Sequence, residues 1–254
     1  DHFEEITSLL KTQGYTDAIA VGGDGTVNQV AKTILNTNIA LGIVPIGSGN
    51  GLARSLGISM DIELAIKQIV LGLNSRIDCG IVNGTPFFCS IGIGFDAHIG
   101  HLFATSQKRG LQSYVKITIS ELFKYRAKEY ILHFNGQEIK RKAFLITVAN
   151  AGQYGNDFYI APEAKISDGL FHVVILKPFS VLKVFGILIK ILRRRAHLSS
   201  SIETYTTDRL TITRKGFDTI HFDGEPKEET DEVVFENKPS FLSVIVGENF
   251  KPSI

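Results

Sequence analysis

The chain has 254 residues, 44% of them hydrophobic, and its 27 Lys and Arg against 26 Asp and Glu give a formal net charge of +1. A chain of this length builds one large domain or two modest ones. The balanced charge argues against a general nucleic-acid binder, which needs a broad basic face.

The chain contains two cysteines, Cys79 and Cys89, and both are flanked by apolar residues. One such pair forms no disulfide framework and lacks metal-ligand spacing, so we expect buried reduced thiols and a cytoplasmic protein. No signal peptide and no apolar run of about 20 residues is visible in the sequence. We therefore expect a protein that at most touches a membrane surface.

The first third of the chain repeats a strand, a glycine-rich turn and a helix. Residues 18–21 form an apolar run that leads into glycines and a helical pattern, and residues 40–44 begin a second such unit. This repeat predicts a doubly wound, Rossmann-like parallel sheet. The chain opens in an amphipathic helical pattern without a preceding strand, so we expect this α/β domain to be incomplete at its N-terminus.

Short β-rich stretches dominate from about Arg76 onward, and two helical patterns interrupt them near residues 112–125 and 180–194. The predicted strands are 77–82, 87–91, 130–134, 143–149, 170–176, 209–213, 219–222 and 233–235. Asn83-Gly84 and Asn135-Gly136 predict tight hairpins. We predict an α/β plus all-β chain, with an α/β domain over residues 1–75 and a C-terminal antiparallel β-sandwich-like domain over residues 76–240. The apolar run near the end fits either domain, so residues 241–254 are an optional addition to the first.

The strongest local signal is Gly22-Gly23-Asp24-Gly25-Thr26, which lies between a predicted strand and a helix. Glycines let a backbone approach a phosphate closely, and helix N-terminal N–H groups favour an anion. Thr26 and Gln29 have the spacing of a capping box, which places the helix start inside the motif. Asp24 would repel phosphate unless a metal or a substrate proton intervenes, which suggests Mg²⁺ or a general base. The alternative is a purely structural turn.

A second glycine-rich turn, Gly47-Ser48-Gly49-Asn50, occupies the same place in the next unit. Ser48 and Asn50 carry groups that hydrogen-bond a phosphate or ribose. Turns that follow successive parallel strands converge at the carboxyl ends of the sheet, where α/β proteins bind ligands. Neither turn matches the P-loop or the Rossmann dinucleotide pattern.

The segments Gly22–Gln29 and Pro45–Arg54 resemble the catalytic domain shared by diacylglycerol, sphingosine and ceramide kinases, and the chain is similar in size to the bacterial members. The resemblance continues in the same order through Ile77–Gly84, Gly92–Asp96, Ala161–Leu170 and Asp223–Glu225. It implies an ATP- and Mg²⁺-dependent lipid kinase with a cleft between two domains. Diacylglycerol is the first candidate acceptor, and a sphingoid base or another lipid alcohol is the second.

The resemblance also implies roles for individual residues. Gly22, Gly23, Asp24, Gly25, Thr26 and Asn28 would hold the ATP phosphates, together with Gly47, Ser48, Gly49 and Asn50. Asp24 and Asp78 would belong to a carboxylate–water network around catalytic Mg²⁺. Lys165, Asp168 and Leu170 match a structural Mg²⁺ site, in which only Asp168 would use its side chain.

The resemblance makes Asp223 the general base, with Glu225 two residues further on. If this segment is extended, the two carboxylates share one face. Without the resemblance, the Asp-Gly-Glu-Pro sequence is typical of a plain hairpin turn. One departure concerns Gly51, because many bacterial relatives carry Asp there, and its absence leaves the choice of lipid open.

Two rival functions remain. One is a relative of NAD kinase or phosphofructokinase, which share Gly-Gly-Asp-Gly; the other is a catalytically silent lipid- or nucleotide-binding protein. The expected partner is a lipid substrate at the inner membrane face, without nucleic acid, and a homodimer is an open alternative.

Residues 179–195 predict an apolar helix with a basic end. Packing of this helix on the second domain is favoured over a role at the membrane surface.

Overall fold

The computed structural model describes residues 2–106, 111–153, 158–216 and 218–252. Its first part contains α1 (His2–Thr12), β1 (Asp17–Gly22), α2 (Asp24–Thr33), β2 (Ala40–Pro45), α3 (Gly51–Ser55) and α4 (Ile62–Leu71). Strands β1 and β2 are parallel neighbours. The predicted repeat of strand, glycine turn and helix is therefore confirmed.

The remaining elements are mostly strands. They begin with β3 (Asn74–Val82), β4 (Thr85–Phe87), β5 (Ser90–Gly94), α5 (Phe95–Thr105), α6 (Leu111–Leu122), β6 (Lys128–Phe134), β7 (Gln137–Ala143), β8 (Leu145–Ala149) and β9 (Phe171–Leu176). A 3-10 turn (Val181–Lys183), α7 (Val184–Leu192) and a second 3-10 turn (Ala196–Leu198) come next. The last strands are β10 (Ile202–Thr207), β11 (Arg209–Thr213), β12 (Asp218–Phe222), β13 (Glu225–Glu229) and β14 (Glu232–Ile245).

The strands form two sheets. One sheet has the order β10-β9-β8-β5-β12-β13, and all of its neighbours are antiparallel. The other has the order β1-β2-β14-β11-β6-β7, with β3 pairing to β14 and β4. Fully buried side chains from both sheets, such as Phe87, Phe171 and Phe235, share one apolar core. The predicted antiparallel sandwich is confirmed.

Strands β3 and β14 run through both parts of the molecule. The first half of β14 pairs with β11, and its end pairs with β2 through Val244 and Leu41. Sequence analysis treated 233–235 and 241–246 as separate segments, but they belong to one strand, with a register shift against β3 between Lys238 and Leu242. The polar residues at this bulge interrupt the apolar pattern, which explains the error.

The two Asn-Gly turns were predicted correctly. Asn83-Gly84 joins β3 to β4 and Asn135-Gly136 joins β6 to β7, with positive φ at all four residues. Sequence analysis missed β7, β10 and β13, which lie at sheet edges. Edge strands expose one row of backbone groups and often carry charged residues, so their polar sequences give little alternating apolar signal.

Helices cover the outer face of the β10-β9-β8-β5-β12-β13 sheet. Phe95 and Ile99 of α5 and Ile187 and Ile191 of α7 are buried in one apolar cluster with residues of β8 and β9, such as Val174. This agrees with the predicted packing of the 179–195 helix on the second domain. No helix among the described residues is both long and apolar enough to cross a bilayer.

Candidate active site

The helix that follows the first glycine turn begins without a side-chain cap. Strand β1 ends at Gly22, and α2 begins at Asp24 with Gly23 as its N-cap. A Cβ atom on Gly22 would lie 2.5 Å from Cβ of Thr26, so only glycine fits there. The helix start does fall inside the motif, but Thr26 lies within the helix, and the predicted capping box is therefore wrong.

The second glycine turn is closed by Asn50. Its Oδ1 accepts a hydrogen bond from Gly47 N at 3.1 Å, and its Nδ2 donates to Gly47 O at 2.7 Å. Asn50 has a φ of 53° and is the residue before α3. Asn tolerates this left-handed conformation better than most residues, which explains its place here. Ser48, at the tip of the turn, is exposed.

The two turns are in direct contact. A Cβ atom on Gly47 would lie 2.6 Å from Cα of Gly23, so the backbones touch. Asp24 joins them further, because its Oδ2 accepts from Asn50 N at 2.9 Å and its Oδ1 from Gly51 N at 2.7 Å. This carboxylate, which seemed out of place in a phosphate loop, therefore fixes the two glycine turns against each other. We call the opening that these two turns line the mouth.

Asp223 comes from the sandwich and points back toward the glycine turns. It lies in the β12–β13 hairpin, where Asp223 and Gly224 have φ values of 45° and 105°. The segment is therefore a turn, and the idea that an extended backbone places both carboxylates on one face is wrong. Positive φ at both central residues is what a type I′ hairpin requires.

The Asp223 carboxylate is held by four donors. Its Oδ1 accepts from Cys89 N and Ser90 N at 2.8 Å, and its Oδ2 accepts from Phe88 N at 2.8 Å. The fourth donor is Asn28 Nδ2 at 3.3 Å, from the second turn of α2 in the other domain. These residues are 195 positions apart in sequence, so the fold alone brings them together.

Burial changes the acid–base behaviour of this region. It raises the pKa of the Asp223 carboxyl above its ordinary value, although the three backbone donors oppose the change. Burial also raises the pKa of the Cys89 thiol, and the charges of Asp223 and Asp24 raise it further. Both carboxylates thus act on one thiol, which indicates that they flank the same small region.

Glu225 is an exposed residue at the start of β13. A Cβ atom on Gly25 would lie 3.0 Å from its Oε1, so this carboxylate sits against the first turn of α2. Glu225 therefore joins Asp24, Asn28 and Asp223 at the mouth between the domains.

Asp78 occupies a different place. It is only 1% exposed, its Oδ1 accepts from Ser240 N at 2.8 Å and its Oδ2 from Gly169 N at 2.6 Å. Ser240 belongs to the β14 bulge, so the carboxylate fixes that bulge and the loop before β9. Burial raises the pKa of Asp78, and the two backbone donors oppose this. Its predicted place in a catalytic metal network stays a prediction.

The segment predicted to hold a structural metal precedes β9. Asp168 is half-buried, and its Oδ1 accepts from Leu170 N at 3.1 Å, while Lys165 and Leu170 are exposed. Within the described part of the chain, no three His, Cys, Asp or Glu side chains are grouped as a metal site. A divalent ion here would rely on one carboxylate, backbone carbonyls and water, as predicted for Asp168.

Sequence analysis missed one buried polar residue that supports the site. Asn150 is fully buried after β8, and its Nδ2 donates to Asp78 O at 3.2 Å and to Phe88 O at 2.8 Å. It therefore fixes the same loop whose amides hold Asp223. The one available signal was a polar residue at the end of a continuous apolar run.

A cavity of about 290 Å³ lies beside the mouth, between the two domains. Its lining includes Arg54, Gln153, Tyr159, Lys165 and Lys251. Arg54 also donates from Nε to Gly49 O at 3.1 Å, which connects the cavity to the second glycine turn. Three of these five side chains are cationic.

Comparison with known families agrees with this geometry. Residues 1–82 match the model of the diacylglycerol kinase catalytic domain, and residues 89–246 match that of the YegS C-terminal NAD kinase beta sandwich-like domain. The second match alone covers more than half of the chain. The chain belongs to the diacylglycerol kinase-like family of lipid kinases. The resemblance stated from the sequence motifs, and the enzyme class it implied, are confirmed.

One relative is a protein of Chromohalobacter salexigens named "Probable lipid kinase YegS-like". It is 29% identical to this chain, and the match covers 84% of this chain and 70% of that protein. The diacylglycerol kinase of Bacillus subtilis is 28% identical over 82% of this chain and 70% of its own length. An uncharacterized Synechocystis protein is 29% identical over 69% of this chain, and that match spans only 43% of its length.

Solved structures share the fold. A diacylglycerol kinase from Bacillus anthracis superposes with a TM-score of 0.73 at 18% identity, covering 99% of this chain and 83% of the other. An NAD kinase from Archaeoglobus fulgidus, solved with ATP, superposes with a TM-score of 0.55 at 13% identity. The match covers 98% of this chain and 91% of the other. These likenesses show a shared fold and no more.

Proposed function

We propose that this chain transfers the γ-phosphoryl group of ATP to the hydroxyl of a membrane lipid, with Mg²⁺ and by direct in-line displacement. Diacylglycerol is the first candidate acceptor, and a sphingoid base or another lipid alcohol is the second. The lipid oxygen would bond to phosphorus as the bond to ADP breaks, and the hydroxyl proton would pass to Asp223.

One observation carries the proposal most strongly. Asn28, in the glycine-turn helix, contacts the Asp223 carboxylate from the sandwich domain at 3.3 Å. A kinase site needs a group that grips phosphate opposite a group that accepts the acceptor's proton. The Asn28–Asp223 contact supports the proposal, because it joins the helix after the first glycine turn to a carboxylate of the sandwich domain.

The ATP phosphates are assigned to residues 22–28 and to the second turn with Ser48. Gly23 and Gly47 are in contact and have no side chains, so a phosphate group can approach the backbone of both turns closely. Helix α2 has ten residues, and its first N–H groups carry the positive end of the helix dipole. Thr26 and Ser48 are exposed beside this backbone and are assigned as hydroxyl donors.

Mg²⁺ requires oxygen ligands and retains several waters, so one or two carboxylates suffice. Glu225 is exposed, and Asp24 keeps lone pairs beyond the two that backbone amides use, so both fit the ion at the mouth. Bound Mg²⁺ would neutralise charge on the transferring phosphoryl group. Asp78 fits this role less well, because it is buried and both of its oxygens hold backbone amides.

Asp223 is assigned as the general base. A carboxylate has about four lone-pair sites, and four donors already occupy them. The 3.3 Å contact with Asn28 is the longest and the only one from a side chain, so a lipid hydroxyl would replace it. A pKa raised by burial suits a base that must take up a proton near neutral pH.

The proposal is tested by incubating the chain with γ-labelled ATP, Mg²⁺ and mixed micelles that each contain one lipid alcohol. The panel includes diacylglycerol, sphingosine and ceramide, with NAD as a soluble acceptor. We expect label in phosphatidic acid, and its loss when EDTA removes Mg²⁺. Preferential labelling of NAD would replace the lipid assignment, and ATP binding without transfer to any acceptor would favour the silent-binding alternative.

A further inference from the structure

The segment around α7 exposes an unusual amount of apolar side chain. Leu182 is 91% exposed and Phe185 is 77% exposed, while Ile187 and Ile191 on the opposite side are buried. We call the exposed group the α7 face; it consists of Leu182, Phe185, Leu188, Ile189 and Leu192. At 100° per residue the four of these positions that belong to α7 fall within about 100° of the helix circumference, and Leu182 lies in the 3-10 turn just before them. The helix therefore packs through one side and presents an apolar stripe on the other.

The charge around the α7 face is one-sided. Residues 169–202 contain no Asp or Glu, although the whole chain has nearly equal numbers of acidic and basic residues. The same stretch contains six basic residues: Lys177, Lys183, Lys190, Arg193, Arg194 and Arg195. Lys183, Arg193 and Arg195 are exposed at the two ends of the stripe. An apolar stripe between exposed cations is complementary to a surface that offers acyl chains beneath anionic head groups.

The basic end of α7 leads to the interdomain cavity. The Arg194 guanidinium lies 3.9 Å from the centre of the Tyr159 ring and donates to Tyr159 Oη at 2.8 Å. Tyr159 lines the cavity together with Arg54, which contacts Gly49 of the second glycine turn. The basic end of α7 therefore lies at a cavity that also borders the second glycine turn.

From these observations we infer that the α7 face docks on the surface of an anionic lipid bilayer. The inference rests on the proposed function for its purpose, because a lipid acceptor must be reached within a membrane, but docking itself needs no phosphoryl transfer. Leu182 and Phe185 insert between lipids, and Lys183, Arg193 and Arg195 meet phosphate groups. The cavity beside Arg194 then opens close to the lipid surface.

Vesicle sedimentation without ATP tests this inference. The chain is mixed with phosphatidylcholine vesicles or with vesicles that also contain phosphatidylglycerol, at low and high salt. We expect binding to the anionic vesicles that weakens as salt rises. Leu182→Ser with Phe185→Ser, and separately Arg193→Gln with Arg195→Gln, should each reduce it by about tenfold or more.

The matched control is Val70→Ser with Leu71→Ser, which changes two residues of α4 that are 81% and 60% exposed. This control should bind anionic vesicles like the original chain. Equal binding by the α7 variants, or an equal loss in the α4 control, would overturn the inference. So would a concentration-dependent dimer, measured by sedimentation velocity, that the Leu182→Ser and Phe185→Ser changes dissociate, because a second copy would then cover the face.

The two proposals fail in distinguishable ways. Vesicle binding with no phosphoryl transfer to any lipid would contradict the kinase proposal alone. Transfer to a short-chain, water-soluble diacylglycerol with no vesicle binding would contradict the docking proposal alone.

Discussion

Asp223 and Asp78 are two carboxylates that the chain holds in similar ways and in different places. Each accepts backbone N–H donors on both oxygens, and burial raises the pKa of each. Asp78 is enclosed at the junction of β3 with the β14 bulge. Asp223 is half-buried in a hairpin turn, and its fourth donor is Asn28 from the phosphate-loop helix.

The comparison distinguishes Asp78, whose two oxygens both hold backbone amides, from Asp223, which we propose as the base. Both acidic groups look equally suitable in sequence, since each lies in a motif shared with lipid kinases. Donor type and exposure distinguish them. Both donors at Asp78 are backbone amides held by the fold, whereas one donor at Asp223 is the Asn28 side chain, which we propose a lipid hydroxyl replaces.

The largest expected effect follows from Asp223→Asn. Removing the proton acceptor should lower turnover by about 10²–10⁴-fold, while ATP affinity stays nearly unchanged because the glycine turns are intact. Steady-state kinetics and calorimetric ATP titration measure the two quantities. Near-normal turnover in this variant would remove Asp223 from the base role.

The next effect concerns the contact between the glycine turns. Gly47→Ala puts a methyl group 2.6 Å from the Gly23 backbone, which cannot move aside easily, so we expect a loss of about 1–3 kcal/mol in stability and weaker ATP binding. Gly186→Ala in α7 is the matched control, because nothing lies within 4 Å of the added methyl group and the residue is far in sequence from both glycine turns. If both variants unfold and bind ATP alike, the two turns are not in the contact described.

Asp78→Asn should act on stability and leave turnover per folded molecule largely unchanged. An amide in place of the carboxylate can accept only one of the two N–H donors, so urea unfolding should show a loss of about 1–3 kcal/mol. A loss of turnover as large as that of Asp223→Asn, without a change in stability, would place Asp78 in the catalytic metal network.

The pH dependence of that stability loss gives a second measure. Folding raises the pKa of the Asp78 carboxyl, so this group stabilises the fold at pH values below 3.8, its pKa in the unfolded chain. That stabilisation is lost as the pH rises through the pKa of the group in the folded protein. The Asn variant cannot titrate. The stability difference between the two chains should therefore be largest near pH 4 and decrease as pH rises; a difference that grows with pH would contradict a raised pKa.

The smallest expected effect is that of Asn28→Ala. Asn28 donates to the ionised form of Asp223, so its removal should raise the Asp223 pKa further and move the acid limb of the kcat/KM profile to higher pH. A pH–rate profile of both chains measures this. An unmoved limb would show that the contact does not influence the base.

Sequence patterns predicted much of the fold because their signals are local. The strand–glycine–helix repeat, the Asn-Gly hairpins and the continuous apolar strands such as β9 each depend on neighbouring residues. The edge strands and the continuity of β14 were missed, since exposed strands carry polar residues and the bulge at Ser240 interrupts the apolar pattern. The helix start at Asp24 was misplaced because glycine caps leave no side-chain signature.

The site itself could be predicted only in part. Motif resemblance supplied Asp24, Asn28 and Asp223, but no local pattern reveals that Asn28 and Asp223 meet across 195 residues. The bonds from Asp78 to two distant backbone amides are equally invisible in sequence. The exposure of the α7 face was also hidden, because an apolar helix that is buried on all sides has the same composition.

A structure of the chain with Mg²⁺ and a non-hydrolysable ATP analogue tests the central claim most directly. We expect the triphosphate along residues 22–28 and Ser48, with the γ-phosphate directed at the Asp223 carboxylate. A nucleotide bound elsewhere, or a γ-phosphate that points away from Asp223, would contradict it.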